Sequence, residues 1–340
     1  MASRTPLPTA ADAMAVLFRH AAEAEALEHR AAKAVTESLR IQLQTVSRWL
    51  ARTWTERLGA LTDQADPTKL IPVVTELRTK LAALGTDPTQ GLLVWSRQAL
   101  RLGVRQATAE VRSTRPLVRH PMLGQDTLLA AFQLAGRVTE RLRKADVVLL
   151  VNQGTGYTDV MQGVAAANLA VTDLDRAARW MTNREVNNGT YQVADVVDAG
   201  LLWVAERNAC VHCLAYSGVL AEPGNAFPPD LTFGTTPLTP WPNGILDRPP
   251  LHVNCRCRIT PWQGSGSGGT TFSLPDALKR EAQRSITKGW SLPSESEAVR
   301  LKAADDLLKR GTDLPPSVQQ VAERAIARGR FINRNVPVAK

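Results

Sequence analysis

The four cysteines of this chain lie within 48 residues, as Cys210-x-x-Cys213 and Cys255-x-Cys257, and His252 stands three residues before the second pair. Two close thiol pairs separated by a long insert are how a chain closes a tetrahedral metal site. Cys-x-x-Cys lets two thiolates of one tight turn reach the same ion, while backbone amides steady the sulfur charge. On the other side His252, Cys255 and Cys257 offer three donors for two places. The simplest set uses all four thiolates. The alternative uses Cys210, Cys213 and His252 with either Cys255 or Cys257. His212, inside the first turn, is expected to point outward, and Arg256, between two thiolates, to offset part of their charge. Zinc is the ion that such soft and borderline donors favour. Four protein ligands leave no position for water, and the chain has neither a His-Glu-x-x-His helix nor a His-x-Glu partner to the cysteine turn. The expected role of the metal is therefore structural. Free buried thiols and a disulfide pair are the competing readings.

The elements that position these donors read as mainly α. From Ala10 to about Leu61 the chain is rich in Ala, Glu, Leu and Arg. It has no Gly or Pro there before Gly59, and it repeats apolar residues at three- and four-residue steps: Val35, Leu39, Leu43, Val46, Leu50, Trp54 and Leu58. This predicts one long helix or two in tandem. Asp66-Pro67 and Asp87-Pro88 each read as an N-cap followed by proline in the first turn, opening helices that run to about Gly85 and Arg115. Further helices are expected over 125–151 and from about Thr158 to Asn187. A change of character follows at Asn188-Gly189, with a short amphipathic piece over 191–199 and a strand over 201–206.

Between Val219 and Pro250 the chain carries eight prolines and three glycines, and so long an irregular stretch needs something to hold its ends. A metal bound by Cys210, Cys213 and the Cys255 region would do so. Gly264-Ser-Gly-Ser-Gly-Gly269 reads as a flexible linker. A basic tail of two or three short helices, broken at Pro293 and at Pro315-Pro316, lies beyond it. The expected organisation is a helical region over 1–160, a small α+β module cross-linked by the Cys/His site over 161–262, a Gly/Ser linker over 263–274 and a helical tail over 275–340.

With 44% hydrophobic residues in 340, the chain can bury at least one substantial core. No apolar run approaches the roughly 20 residues of a membrane span, and the first residues lack the apolar core of a signal peptide. No membrane partner is expected, and residence in a cytosol follows, where clustered cysteines serve as metal ligands more often than as disulfides. The net charge of +9 divides unevenly. Lys/Arg against Asp/Glu is 16 to 11 over 1–115, 12 to 13 over 116–274 and 13 to 8 over 275–340. Such basic flanks suit nucleic acid or an acidic protein surface, but their Arg residues are interleaved with Glu and Asp rather than massed in blocks, as on solvated helix faces. The turn at Gly154-Thr-Gly156 lacks the third glycine of a nucleotide-binding fingerprint. His20, His29 and His120 have no matching nucleophile motif.

Taken together, Trp203-Val-Ala-Glu-Arg-Asn-Ala-Cys210-Val-His-Cys213-Leu-Ala-Tyr-Ser-Gly218 and Pro249-Pro-Leu-His252-Val-Asn-Cys255-Arg-Cys257-Arg-Ile259 resemble the Mu F-like phage head morphogenesis (minor head, or minor capsid) family. That family pairs a tryptophan-led strand and a Cys-x-x-Cys turn ending in Gly with a Pro-Pro-x-His-x-x-Cys-Arg-Cys end. Asn183-Arg184-Glu185-Val-Asn187 resembles part of its preceding helix, although the Thr of the family's Arg-Thr-Glu run is absent. The resemblance covers about 165–262. It implies a non-enzymatic structural protein of a tailed double-stranded DNA phage head, assembled in the bacterial host cytoplasm and carried in the virion. The implied partners are portal protein, major capsid protein and packaged double-stranded DNA, with further copies of the chain around the portal. A capsid-maturation protease fused to such a module and a zinc-containing nucleic-acid-binding protein are the alternatives.

Overall fold

The computed structural model describes residues 9–85, 87–151, 154–238, 244–263 and 274–336. The order of elements is α1 (Ala10–Arg57), α2 (Pro67–Ala82), α3 (Thr89–Glu110), α4 (Gln125–Val151), α5 (Tyr157–Val196), β1 (Gly200–Val204), α6 (Val211–Tyr216), β2 (Leu220–Ala221), β3 (Arg258–Trp262), α7 (Leu274–Lys288), α8 (Glu297–Lys309) and α9 (Pro316–Arg328). The protein is mainly helical with one small sheet, as its composition and periodicity predict. The Gly/Ser run of the expected linker lies outside the described residues. No helix among the described residues is long and apolar enough to cross a membrane.

The chain packs into two compact units, each discontinuous in sequence. One is built from 28–97 and 123–181, the other from 1–27, 98–122 and 182–340. In the first unit the apolar stripe of α1 supplies Leu39, Leu43, Leu50 and Trp54, which are buried with Leu77 and Leu81 of α2 and Val164 and Leu174 of α5. The aspartate caps form as their sequences predict. Asp66 accepts from the amide of Thr68 at 2.8 Å, and Asp87 from that of Thr89 at 3.0 Å. At the start of α5, Asp159 accepts from the amide of Gly156 at 3.0 Å, so the Gly154–Gly156 turn leads into a helix cap.

The second unit holds the cysteines. Here one expectation fails: α5 runs unbroken through Asn188-Gly189 to Val196. Gly189 does not end the helix. A Cβ at that position would run into the carbonyl of Leu100 and, at 2.8 Å, the amide nitrogen of Val104, and a Cβ on Gly103 would collide with the backbone of Val186. The two glycines let α3 and α5 cross at backbone contact, which outweighs the weak helix propensity of glycine.

The sheet has the order β2-β1-β3 and is antiparallel throughout, with Trp203 opposite Ile259 and Val204 opposite Arg258. Pro261 sits on the edge strand β3, where a missing N–H is tolerated. All five residues of β1 are buried. Trp203 stacks beside Tyr216 and meets Phe227 edge-on, with ring centres 5.0 and 5.1 Å away. Ala282, Ile286, Ala303, Leu307, Ala322 and Phe331 of the C-terminal segment are buried in the same core as Trp203, Cys213, Cys255 and Cys257.

Candidate metal centre

The antiparallel register explains why cysteines so distant in sequence meet. Val204 ends β1 opposite Arg258, which begins β3, so the chain leaving β1 toward Cys210 and the chain entering β3 from Cys257 share one end of the sheet. Cys210 caps the short helix α6, placing Cys213 on its first turn. A turn closed by the amide of Cys255 on the carbonyl of His252, at 2.9 Å, brings the second group of donors together.

All five donors nominated from sequence converge. Cys210 Sγ lies 3.2 Å and Cys213 Sγ 3.3 Å from His252 Nε2, and Cys213 Sγ lies 3.5 Å from Cys255 Sγ. The ligand atoms of Cys210, Cys213 and His252 fall within 4.8 Å of one another, as do those of Cys213, Cys255 and Cys257. The two sets share Cys213. Donors about 2.3 Å from a tetrahedral ion sit about 3.8 Å apart, so each group of three has spacings that an ion's donors could adopt, and Cys213 is the donor common to both. Cys213, Cys255 and Cys257 are buried, whereas Cys210 and His252 are half-buried. Beside that more open side lies a cavity of about 370 Å³, lined by Cys210, His252, His212, Glu206, Arg256 and Glu295 among others. It offers an ion a route inward.

The protons of the cluster alternate. The hydrogen bond from the Cys213 thiol, followed by that with His252, holds Cys210 down at about 4 against the effect of burial. Donating to Cys210 and contacting Cys255 push Cys213 well above the usual thiol range. Burial opposes ionisation of Cys255, but hydrogen bonds from Cys213 and Cys257 and the charge of His252 hold it well below that range. Burial and then the neighbouring Cys255 push Cys257 up. Burial also pulls at His252, yet the Cys210 and Cys255 thiolates overcome it and hold the imidazole at about 9. These directions favour negative charge on Cys210 and Cys255 facing a protonated His252, which makes the cluster a socket of net negative charge. A cation held by His252 and Cys213 would displace a proton from each.

Other expected residues fall into place around the socket. His212 belongs to neither donor set, and its Nδ1 faces Thr232 Oγ1 at 3.1 Å. Arg256, between two of the cysteines, reaches Glu25 at 2.5 Å, Glu206 at 3.0 Å and Asn208 at 3.0 Å with its guanidinium, a planar donor that suits oxygen acceptors. Asn187 of α5 braces the second pair directly, donating to the carbonyl of Cys257 at 3.1 Å and accepting from the amide of Ile259 at 2.9 Å. Only its place in the Asn183–Asn187 run marked it in the sequence. Glu295 and Arg300, which bond the backbone on either side of Cys210, carried no local signal at all.

Comparison with known family models, with curated proteins and with solved structures finds no match to this chain.

Proposed function

We propose that this chain is a structural, non-enzymatic minor head protein of a tailed double-stranded DNA phage, built around a structural zinc ion. Cys210, Cys213, His252 and the Cys255/Cys257 pair supply the donors. The observation that carries the reading is the meeting of the Cys-Val-His-Cys turn with the His-Val-Asn-Cys-Arg-Cys end, in one core with Trp203 of strand β1. Asn187, from the helix with the partial Asn-Arg-Glu likeness, is bonded to the same end. Those are the segments that resemble the Mu F-like family, and their contact is what a shared ion requires. Thiolates with an imidazole favour zinc over hard cations, and a mostly buried set of protein donors suits a structural ion.

In this role the protein sits in the virion, assembled in the host cytoplasm on portal and major capsid protein, with copies around the portal and contact with packaged DNA. The test is co-expression with the portal and major capsid proteins of the same genome, followed by isolation of heads in high salt. The chain should co-purify with the heads in few copies. Heads that form normally and lack it would overturn the proposal.

A second reading, a zinc-containing nucleic-acid-binding protein, is favoured by one specific feature. Residues 98–122 carry Arg101, Arg105, Arg112, Arg115 and Arg119, all exposed, against a single carboxylate, Glu110. Glu110 is turned inward on His20 and Thr260. Arg101 and Arg105 lie one helical turn apart, about 6 Å, close to the rise of two base pairs. This reading predicts binding to DNA without any head protein.

A further inference from the structure

The peptide groups on either side of Cys210 are held from far along the chain. Arg300 Nη2 donates to the carbonyl of Ala209 at 2.7 Å, and Glu295 Oε1 accepts from the amide of Val211 at 2.9 Å. Glu295 Oε2 pairs with Arg300 Nη2 at 2.5 Å. The two side chains thus bridge the backbone immediately before and after a metal donor. Val211 is the first residue of α6, and Cys210, its N-cap, makes no side-chain capping bond. Glu295 does that work from outside the helix, satisfying an amide that the helix itself leaves without a partner.

Arg300 is fully buried and the side chain of Glu295 is 9% exposed. An ion pair buried this deeply gains little net stability, because desolvation offsets most of the attraction. Its geometry is a better explanation for its presence. An acceptor for Val211 and a donor for Ala209, fixed to each other, leave the Cys210 backbone one orientation.

We infer that Glu295 and Arg300 are positioning residues of the metal centre, orienting Cys210 toward Cys213 and His252, and that the segment leading into α8 is a working part of that centre. The inference rests on the reading of the Cys/His cluster as a metal site. Groups that orient metal ligands change affinity by about 10- to 100-fold when they are lost. The coupling is reciprocal, so the ion must hold this contact as firmly as the contact holds the ion.

The test uses the full chain and cobalt(II), whose absorption reports thiolate coordination, followed by zinc competition against a chromophoric chelator. Glu295→Gln with Arg300→Met keeps an acceptor for Val211, loses the bond to Ala209 and leaves no unpaired charge. Glu295→Leu with Arg300→Met loses both bonds. The first pair should weaken zinc binding about tenfold and the second about 100-fold, with an altered cobalt spectrum. Lys309→Ala, which breaks only an exposed pair with Asp305 on α8, should leave affinity unchanged. Wild-type affinity and spectrum in both double variants would overturn the inference, as would an equal loss in Lys309→Ala. Absence of any cobalt or zinc binding by the wild type would overturn the metal site itself and the inference with it. If the double variants do not fold, amide exchange of Val211 in the wild type decides. Chelation should speed it at least tenfold, and equal rates with and without zinc would refute the coupling.

Discussion

Cys213 is the residue on which the cluster turns, since it alone belongs to both sets of donors. Cys213→Ser should therefore abolish tight metal binding, where loss of Cys257 would leave the other set intact. The size of the effect follows from the loop that an ion closes. Cys213 and Cys255 are 42 residues apart, and tying together a loop of that length removes about 4 kcal/mol of unfolded-state entropy on the chain-entropy estimate. In a domain of 150 to 250 residues each kcal/mol moves Tm by roughly 2–4 °C, so the expected loss is about 8–16 °C. The assay is thermal unfolding followed by circular dichroism, with and without a zinc chelator, paired with metal analysis. It is run in a phosphine reductant so that a disulfide cannot replace the ion. Untreated wild type should carry about one equivalent of zinc and melt highest. Chelated wild type and the variant should melt together, to within the small cost of burying a hydroxyl in place of a thiol. If chelation leaves the wild-type Tm where it was, no ion ties these segments and the metal reading is wrong.

Three further outcomes are expected. Gly189→Ala, which in an ordinary helix would gain up to about 1 kcal/mol, should instead cost about 1–3 kcal/mol in urea unfolding because its Cβ meets the α3 backbone; a gain would show that the crossing is not tight. Burial pushes the Glu206 carboxyl up to about 7, against the pull of Arg256. The folded state thus holds a proton that the unfolded chain releases near 4.5, and this group's contribution is fully present below 4.5 and lost as pH rises toward 7. The difference is worth about 3 kcal/mol at most, so Glu206→Gln should be the flatter of the two in unfolding free energy between pH 5 and pH 7.5, and parallel profiles would refute the assignment. Finally, replacing Arg101, Arg105 and Arg112 together by Gln should reduce the slope of log affinity for duplex DNA against log salt by about 2.7, three phosphate contacts at about 0.9 each. An unchanged slope would remove that surface from any DNA contact.

Much of the scaffold was legible because its signals are local. The apolar stripe of α1, the Asp-Pro starts of α2 and α3 and the span of α4 are written in neighbouring residues, and so was the strand that became β1. The donors were legible for the same reason: each half of the cluster is a short motif. What stayed hidden depends on contacts between distant segments. Gly189 looked like a break because its partner, the backbone of α3, is invisible from its own neighbourhood. Strand β3 has five residues, of which Pro261 lacks the N–H of a ladder and Arg258 is charged, and pairing with β1 makes it a strand. Glu295 and Arg300 looked like ordinary charges of a basic tail, yet their partners are backbone atoms beside Cys210, 84 and 91 residues earlier. The composition boundaries near 160, 262 and 274 follow changes along the chain, whereas the compact units gather segments from across it.

The Pro-rich insert connects these points. From sequence alone it needed its ends held, and the metal was the only evident means. The structure gives it anchors of its own as well. Phe227 meets Trp203 edge-on, its amide bonds the carbonyl of Leu246 at 2.7 Å, and Leu246 and Leu251 are buried in the same core. Aromatic and aliphatic anchors can fix where the insert lies, but they are indifferent to rotation of the backbone at Cys210 and His252. An ion is not, because sulfur and nitrogen must approach it at set distances and angles. Apolar burial therefore accounts for the packing of the insert, and an ion held by the Cys/His cluster would set the angles at its ends. The buried Glu295–Arg300 pair, which adds orientation rather than apolar contact, belongs with the second requirement.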